Sequence, residues 1–92
     1  MAAEQTYLLL YTYVENMLER RAPYRQAHLD RINAERAAGR VILAGALGDP
    51  PTGGAITFRG VAREHVEQFA TADPYVEAGL VVDRRIELWN AT

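Results

Sequence analysis

The chain has 92 residues, of which 49% are hydrophobic and 24% are charged, and its formal net charge is −2. This length predicts a single domain over residues 1–92, and the composition is typical of a globular rather than a disordered chain. The absence of cysteine excludes disulfides, thiolate metal sites and a cysteine nucleophile, and the small negative charge disfavours nucleic acid as a partner.

All ten basic residues are arginine, which excludes a catalytic or Schiff-base lysine. The longest apolar run, Tyr7–Tyr11, is far shorter than the roughly 20 residues that span a membrane. The first five residues carry no positive charge, which disfavours a secretion signal. We therefore expect a cytoplasmic protein.

Tyr7–Val14 predicts the first strand because it is rich in aromatic and β-branched residues. Both of its alternating sets are largely apolar, which indicates a strand buried on both faces. Residues Met17–Ala38 predict a helix that contains Pro23, and proline interrupts helices. Two arrangements fit: a short turn at Asn16–Arg21 before a helix that starts at Pro23, or one helix kinked there.

The second half of the chain predicts a strand hairpin, a helix and a last strand. A turn rich in glycine and proline, Gly48–Gly54, separates the two hairpin strands, and the Asp73-Pro74 pair ends the helix. These predicted elements are, in chain order, strands at Val41–Leu47 and Ala55–Arg59, a helix at Ala62–Ala72 and a strand at Leu80–Trp89.

The order β-α-β-β-α-β predicts an α+β, ferredoxin-like fold with a four-stranded antiparallel sheet. In such a fold both helices lie on one face of the sheet, and the other face is bare. Here the first two strands carry apolar residues for both faces, and a bare apolar face of that size is unusual for a soluble monomer. The sequence therefore predicts a homodimer that associates through its sheet faces.

Three polar residues of the first helix, Arg21, Arg25 and His28, follow the spacing i, i+4, i+7 and share one face. Leu18 and Ile32 lie at the two ends of the same stripe. A buried helix face is usually apolar throughout, so the polar interruption indicates a cleft. The alternative is that both arginines lie at the surface and that His28 is a structural histidine with its hydrogen bonds satisfied.

The segment Asp73–Gly79 is compatible with a simple helix stop followed by a short turn that Gly79 closes. Together with the first helix, however, it resembles the YciI-like (YCII-related) family over most of the chain, from about Tyr7 to Trp89. The residues that carry the resemblance are Glu19, Arg21, Arg25, His28 and Leu29 in the helix, Gly39 and Gly45 around the second strand, and the segment DPYVEAG from Asp73 to Gly79.

The resemblance implies a ferredoxin-like chain that assembles as a dimeric α+β barrel, with a cleft between the helices and the sheet. It implies a reactive His-Asp pair, which matches His28 and Asp73 here, while Arg21 and Arg25 match the helix pattern and Tyr75 matches the aromatic residue after the proline. Relatives in this family remove HCl from chlorinated hydroxyquinols, and the wider superfamily includes muconolactone isomerases and monooxygenases.

The chemistry of these residue types suits proton abstraction. A carboxylate bound to one imidazole nitrogen fixes the tautomer and makes the other nitrogen a better base, so His28 is the candidate base and Asp73 its orienting partner. Arg21 and Arg25 would bind a carboxylate or phenolate or stabilise an enolate, and Tyr75 would donate a hydrogen bond or form an aromatic wall. One histidine and one aspartate are too few for a zinc site, so we predict neither a metal nor a cofactor.

The leading hypothesis is a small lyase, isomerase or dehydrochlorinase-like enzyme that acts on a small anionic substrate of aromatic or lactone type. Two alternatives remain: a module that binds a small metabolite without converting it, and a structural dimerisation domain. His65, the other histidine, lies away from the apolar face of its helix and is predicted to be exposed to solvent, and Tyr13 is expected to cover the core or an interface.

Overall fold

The computed structural model describes residues 5–91 and confirms the predicted ferredoxin-like order of strands and helices. The four strands form one antiparallel sheet in the order β2-β3-β1-β4. The elements are β1 (Thr6–Tyr13), α1 (Met17–Arg20), α2 (Arg25–Ala37), β2 (Val41–Leu47), β3 (Gly53–Arg59), α3 (Arg63–Thr71), α4 (Pro74–Glu77) and β4 (Val81–Leu88). Most of the N-terminal segment considered for a secretion signal, residues 1–4, lies outside the described residues.

The core lies between the two longer helices and one face of the sheet. Alternate residues of β1 and β3 point to this face, and they are almost fully buried together with the inward residues of α2 and α3. Members of this core are Leu9, Ile32, Ile56, Phe58, Val66 and Phe69. Because the middle strands β3 and β1 lie under the helices, they supply most of the buried hydrophobic side chains that come from the sheet.

The opposite face of the sheet carries apolar side chains that stay in contact with solvent. Leu8 of β1 and Leu43 of β2 both pair with Thr57 of β3, so these three residues share that face. Leu43 is 71% exposed, and Leu47 at the end of β2 is 46% exposed. The prediction that β1 is buried on both faces is therefore wrong for a single chain, in which only the face toward the helices is buried.

The region around Pro23 forms two helices and not one kinked helix. α1 ends at Arg20, residues 21–24 form turns, and α2 begins at Arg25. The arrangement with a short first segment is therefore the correct one, although α2 starts two residues after Pro23, which lies in the turn where its missing N–H is tolerated.

Among the helices of residues 5–91, none has both the length and the apolar character that a membrane-spanning helix requires.

Candidate functional site

The short helix α4 fixes the position of Asp73. The Asp73 side chain caps this helix, because Oδ1 accepts the backbone N–H of Tyr75 at 2.9 Å, and Pro74 occupies the first helical turn, where proline is favoured. The sequence predicted only a turn here, whereas the structure has one helical turn before Gly79, whose φ is 75°. The cap holds the carboxylate in a fully buried position between α3 and α4.

His28 of α2 meets this carboxylate. Its Nδ1 lies 2.8 Å from Oδ1 and 3.0 Å from Oδ2 of Asp73, and the two residues are 45 positions apart in the sequence. A carboxylate accepts hydrogen bonds, so Nδ1 carries a proton, and in the neutral imidazole the lone pair is then on Nε2. Within residues 5–91, no protein group forms a hydrogen bond with Nε2, and His28, although only 6% exposed, lines a cavity. The arrangement therefore leaves one basic nitrogen of His28 free to act on a bound molecule.

Tyr11 of β1 is a further donor to Asp73. Its hydroxyl donates to Oδ2 at 2.8 Å, and the residue is almost fully buried. Burial and the neighbouring Asp73 carboxylate raise the pKa of Tyr11 above its usual range, so the hydroxyl keeps its proton. Nothing in the alternation of β1 separates Tyr11 from Tyr7 or Tyr13, so the sequence pattern does not predict this role.

Tyr75 contacts both members of the His28–Asp73 pair. Its backbone N–H binds Asp73, and its ring stacks on the imidazole of His28 with the ring centroids 3.8 Å apart and 9° between the planes. Tyr13 meets the Tyr75 ring edge-on at a centroid distance of 6.0 Å. The Tyr75 hydroxyl is buried and has no hydrogen-bond partner within residues 5–91. The aromatic ring of Tyr75 thus supports the imidazole, while its hydroxyl remains without a protein partner.

A cavity of about 330 Å³ opens beside His28, between α2 and the sheet. Part of its floor consists of small residues, Ala44 and Ala46 of β2 and Gly54 of β3, and Ala46 pairs with Gly54 in the sheet. Because these residues are short, helix and sheet cannot fill the space between them. The cavity has the size and the mixed apolar and polar lining of a small-molecule site.

The charged side chains that line this cavity are cationic. Arg21 and Arg25 lie at one end, and Arg36 lies with Asn33 further along α2. No aspartate or glutamate lines the cavity within the part of the chain that the structure describes. The cavity therefore favours an anionic ligand, although the whole chain has a net charge of −2.

Tyr13 packs against the core, as expected, and it also lines the cavity next to these guanidinium groups. Its hydroxyl lies against Gly54, in the space that the Cβ atom of any other residue at position 54 would need. Burial, with smaller effects from Tyr75 and Asp73, raises the pKa of Tyr13 to about 12, and Arg21 and Arg25 act in the opposite direction. Tyr13 is therefore a hydrogen-bond donor at neutral pH.

Of the five residues singled out from the sequence, four line this cavity, namely Arg21, Arg25, His28 and Tyr75, and Asp73 lies behind His28. The cavity is also lined by residues that were not predicted as site residues, namely Tyr11, Tyr13, Asn33 and Arg36. The helical spacing that identified the first arginines continues through Asn33 and Arg36 and could have found both. The tyrosines of β1 carry no comparable signal.

A second titratable cluster joins the end of α2 to α3. Glu35 accepts hydrogen bonds from His65 and from Arg40, whose Nε lies 2.8 Å from Oε2. Burial alone would raise the pKa of Glu35, but the hydrogen bonds from Arg40 and His65 outweigh burial and lower it below the ordinary value of 4.5. The prediction of a solvent-exposed His65 holds only in part, because this side chain is 36% exposed and is bound to Glu35. Among residues 5–91, no group of three or more His, Cys, Asp or Glu side chains could hold a metal ion.

The fold has a counterpart among known proteins. The chain is similar in structure to the 5-chloro-2-hydroxyhydroquinone dehydrochlorinase of Burkholderia phenoliruptrix, solved in complex with 2,5-dihydroxybenzoquinone, with a TM-score of 0.80, 21% sequence identity and 95% coverage of both chains. At this identity the similarity concerns the fold. No curated protein matches the chain. The model of the YCII-related domain, however, matches residues 6–90, and the chain therefore belongs to the YCII-related domain family.

Proposed function

We propose that this chain is a single-domain, cofactor-independent enzyme of the cytoplasm, a lyase or isomerase that removes a proton from a small anionic substrate. The observation that carries the proposal is the hydrogen bond between His28 and Asp73 at the wall of an arginine-lined cavity. The dehydrochlorinase of similar fold was solved with a ring-shaped quinone ligand, which supports a compact aromatic or lactone-type substrate.

In the proposed mechanism, Nε2 of His28 is the general base. Asp73 holds the proton on Nδ1, so the lone pair of Nε2 points away from the carboxylate. When Nε2 takes a proton from a carbon beside a carbonyl group, the imidazole becomes a cation, which the adjacent Asp73 carboxylate stabilises. Tyr11 and the Tyr75 backbone hold that carboxylate in place.

The arginines supply the second part of the mechanism. Arg21 and Arg25 bind the anionic group of the substrate and stabilise the negative charge that develops on the carbonyl oxygen. If the neighbouring carbon carries chloride, the electron pair of the broken C–H bond forms a double bond and chloride leaves with the C–Cl electron pair, so the net loss is HCl. Without a leaving group, return of the proton to a different atom gives an isomer.

The proposal is tested with a panel of small aromatic and lactone-type acids that includes 5-chloro-2-hydroxyhydroquinone, with product analysis by mass spectrometry. We expect the His28→Gln variant to fold normally and to lose about 10²–10⁴-fold in turnover, the usual contribution of a general base. The matched control is His65→Gln, which removes the histidine that lies outside the cavity and should keep its turnover. Full activity in His28→Gln would contradict the proposal.

A non-catalytic binding function is the second candidate, and the observation that favours it is the number of arginines in the cavity. Guanidinium groups hold an anion without any base. Under this alternative, acids from the panel would bind and be recovered unchanged, and His28→Gln would bind them as well as the wild type does. The third possibility, a purely structural dimerisation domain, is disfavoured because the space beside His28 is an open cavity rather than a filled interior.

We also propose that two copies associate through their sheet faces. The support is the exposed apolar surface of that face, on which Leu8, Leu10, Leu43 and Leu47 lie away from the helices. A second copy would cover these leucines, and a short chain would gain the buried surface that it lacks alone. Light scattering at micromolar concentration should give the mass of a dimer, and Leu43→Glu should give that of a monomer. A monomeric wild type would contradict this part of the proposal.

A further inference from the structure

One side of α2 faces the cavity along three helical turns. Six residues of this helix line the cavity, and their spacing alternates between three and one, which keeps them on one stripe: Arg25, His28, Leu29, Ile32, Asn33 and Arg36. The first and the last of them are arginines that are 11 positions apart, so their Cα atoms are about 16 Å apart along the helix axis. The candidate base His28 lies between the two.

Arg36 differs in its contacts from the arginines that serve the fold. Arg40 and Arg63 are paired with the carboxylates of Glu35 and Glu67. The guanidinium of Arg31 donates to the Phe69 carbonyl oxygen and lies over the Phe69 ring. In these three arginines, the charge or the hydrogen-bond donors of the guanidinium are therefore already engaged by other groups of the protein.

Arg36 instead donates from Nη1 to the Oδ1 atom of Asn33 at 2.9 Å, and this partner is neutral. This hydrogen bond is exposed to solvent; it orients the guanidinium and leaves it without a carboxylate partner. Within residues 5–91, Arg36 has no carboxylate partner, and the same is true of Arg21 and Arg25 at the other end of the cavity. The cavity therefore has a cationic group on each side of His28.

We infer that the ligand of this cavity is a dianion with an acidic group at each end, such as a dicarboxylate. Arg21 and Arg25 bind one acidic group, and Arg36, oriented by Asn33, binds the other. A guanidinium binds a carboxylate through two parallel hydrogen bonds, so the two ends also fix the orientation of the ligand relative to His28. This inference rests on the proposed function and adds Arg36 to it as a specificity-determining residue.

Arg36 also lies in the last turn of α2, where a cation offsets the partial negative charge of the helix terminus. This effect alone would change the stability of the protein but not its choice of ligand. The test therefore measures ligand discrimination, with adipate and hexanoate as probes, since both acids have a six-carbon chain and differ in one carboxylate.

Calorimetric titration of the full chain should show that adipate binds about tenfold more tightly than hexanoate, which corresponds to about 1.4 kcal/mol. Arg36→Gln should abolish this preference through a larger loss of affinity for adipate than for hexanoate, while Arg25→Gln should weaken the binding of both acids. Arg20→Gln removes the same charge from a residue that does not line the cavity, and it should behave as the wild type does.

Equal affinities for the two acids in the wild type, or a preference for adipate that survives in Arg36→Gln, would overturn the inference. In either case, binding that still depends on Arg25 leaves the proposed function standing. If neither acid binds, the dianion inference is overturned, and the His28→Gln turnover assay then decides separately whether the proposed function holds.

Discussion

The imidazole of His28 lies flat on the phenol ring of Tyr75, with the centroids 3.8 Å apart and 9° between the planes. The backbone N–H of the same Tyr75 binds Asp73, the hydrogen-bond partner of His28. One residue of α4 therefore positions both groups: its backbone fixes the carboxylate, and its ring fixes the plane of the imidazole. The direction of Nε2 is set by the one-turn helix α4 and not by a flexible loop.

The ring and the hydroxyl of Tyr75 should contribute differently to the stability of the protein. Tyr75→Ala removes a buried ring and should lower the free energy of unfolding by about 3–5 kcal/mol. Tyr75→Phe keeps the stack on His28 and removes a buried hydroxyl that has no partner within residues 5–91, so stability should be unchanged or higher by about 1 kcal/mol. Urea unfolding measures both effects, and a marked loss in Tyr75→Phe would show that the hydroxyl has a partner in the protein.

Tyr11 should stabilise the protein through its bond to Asp73. Tyr11→Phe should lower the free energy of unfolding by about 1.5–3 kcal/mol, the range for a hydrogen bond to a charged group. Tyr7→Phe is the matched control, because the hydroxyl of Tyr7 donates to the neutral side chain of Gln5. Equal effects of the two substitutions in urea unfolding would contradict the role assigned to Tyr11.

High pH should weaken the folded state through Tyr11 and Tyr13. The folded pKa of each is raised, that of Tyr13 to about 12, so their contribution to stability is complete below the ordinary value of 10.0 and is lost as the pH rises above it. Urea unfolding at pH 8 and above pH 10 should show this loss, and Tyr13→Phe should reduce it. An unchanged pH dependence in that variant would contradict the burial of the Tyr13 hydroxyl.

Gly54 should be required for the cavity floor. A Cβ atom at this position would collide with the hydroxyl of Tyr13, which the edge-on contact with Tyr75 restrains. Gly54→Ala should therefore lower stability by about 1–3 kcal/mol and weaken ligand binding. The control is Gly45→Ala on the neighbouring strand, where a Cβ atom would meet nothing within 4 Å, and a similar loss there would contradict the argument.

Low pH should weaken the hydrogen bonds by which Glu35 joins the end of α2 to His65 of α3. The folded pKa of Glu35 is lower than its ordinary value of 4.5, so its contribution to stability is present above that value and is lost as the pH falls through the folded pKa. Glu35→Gln should destabilise the protein at pH 7, and the difference from the wild type should shrink toward pH 3. A difference that stays constant between these pH values in urea unfolding would contradict this account.

The local pattern of the sequence was sufficient for most of the fold. Strand alternation and turn residues placed all four strands within about two residues of their ends, and the Asp73-Pro74 pair marked the end of α3. The same pair also begins α4, which the sequence analysis did not identify, because an aspartate cap with proline in the first turn is compatible with a turn as well as with a helix.

The sequence by itself determined the order of the elements and the stripe of α2 that carries Arg25 and His28, because helix periodicity and caps depend on neighbouring residues. Only the tertiary structure decided that Tyr11 reaches Asp73 across 62 positions of the chain. It also decided that the small residues of β2 and β3 lie opposite α2 and leave a cavity there. Both depend on how distant segments pack together in the folded chain, in which β1 pairs with β3 and with β4, and no local pattern specifies such a contact.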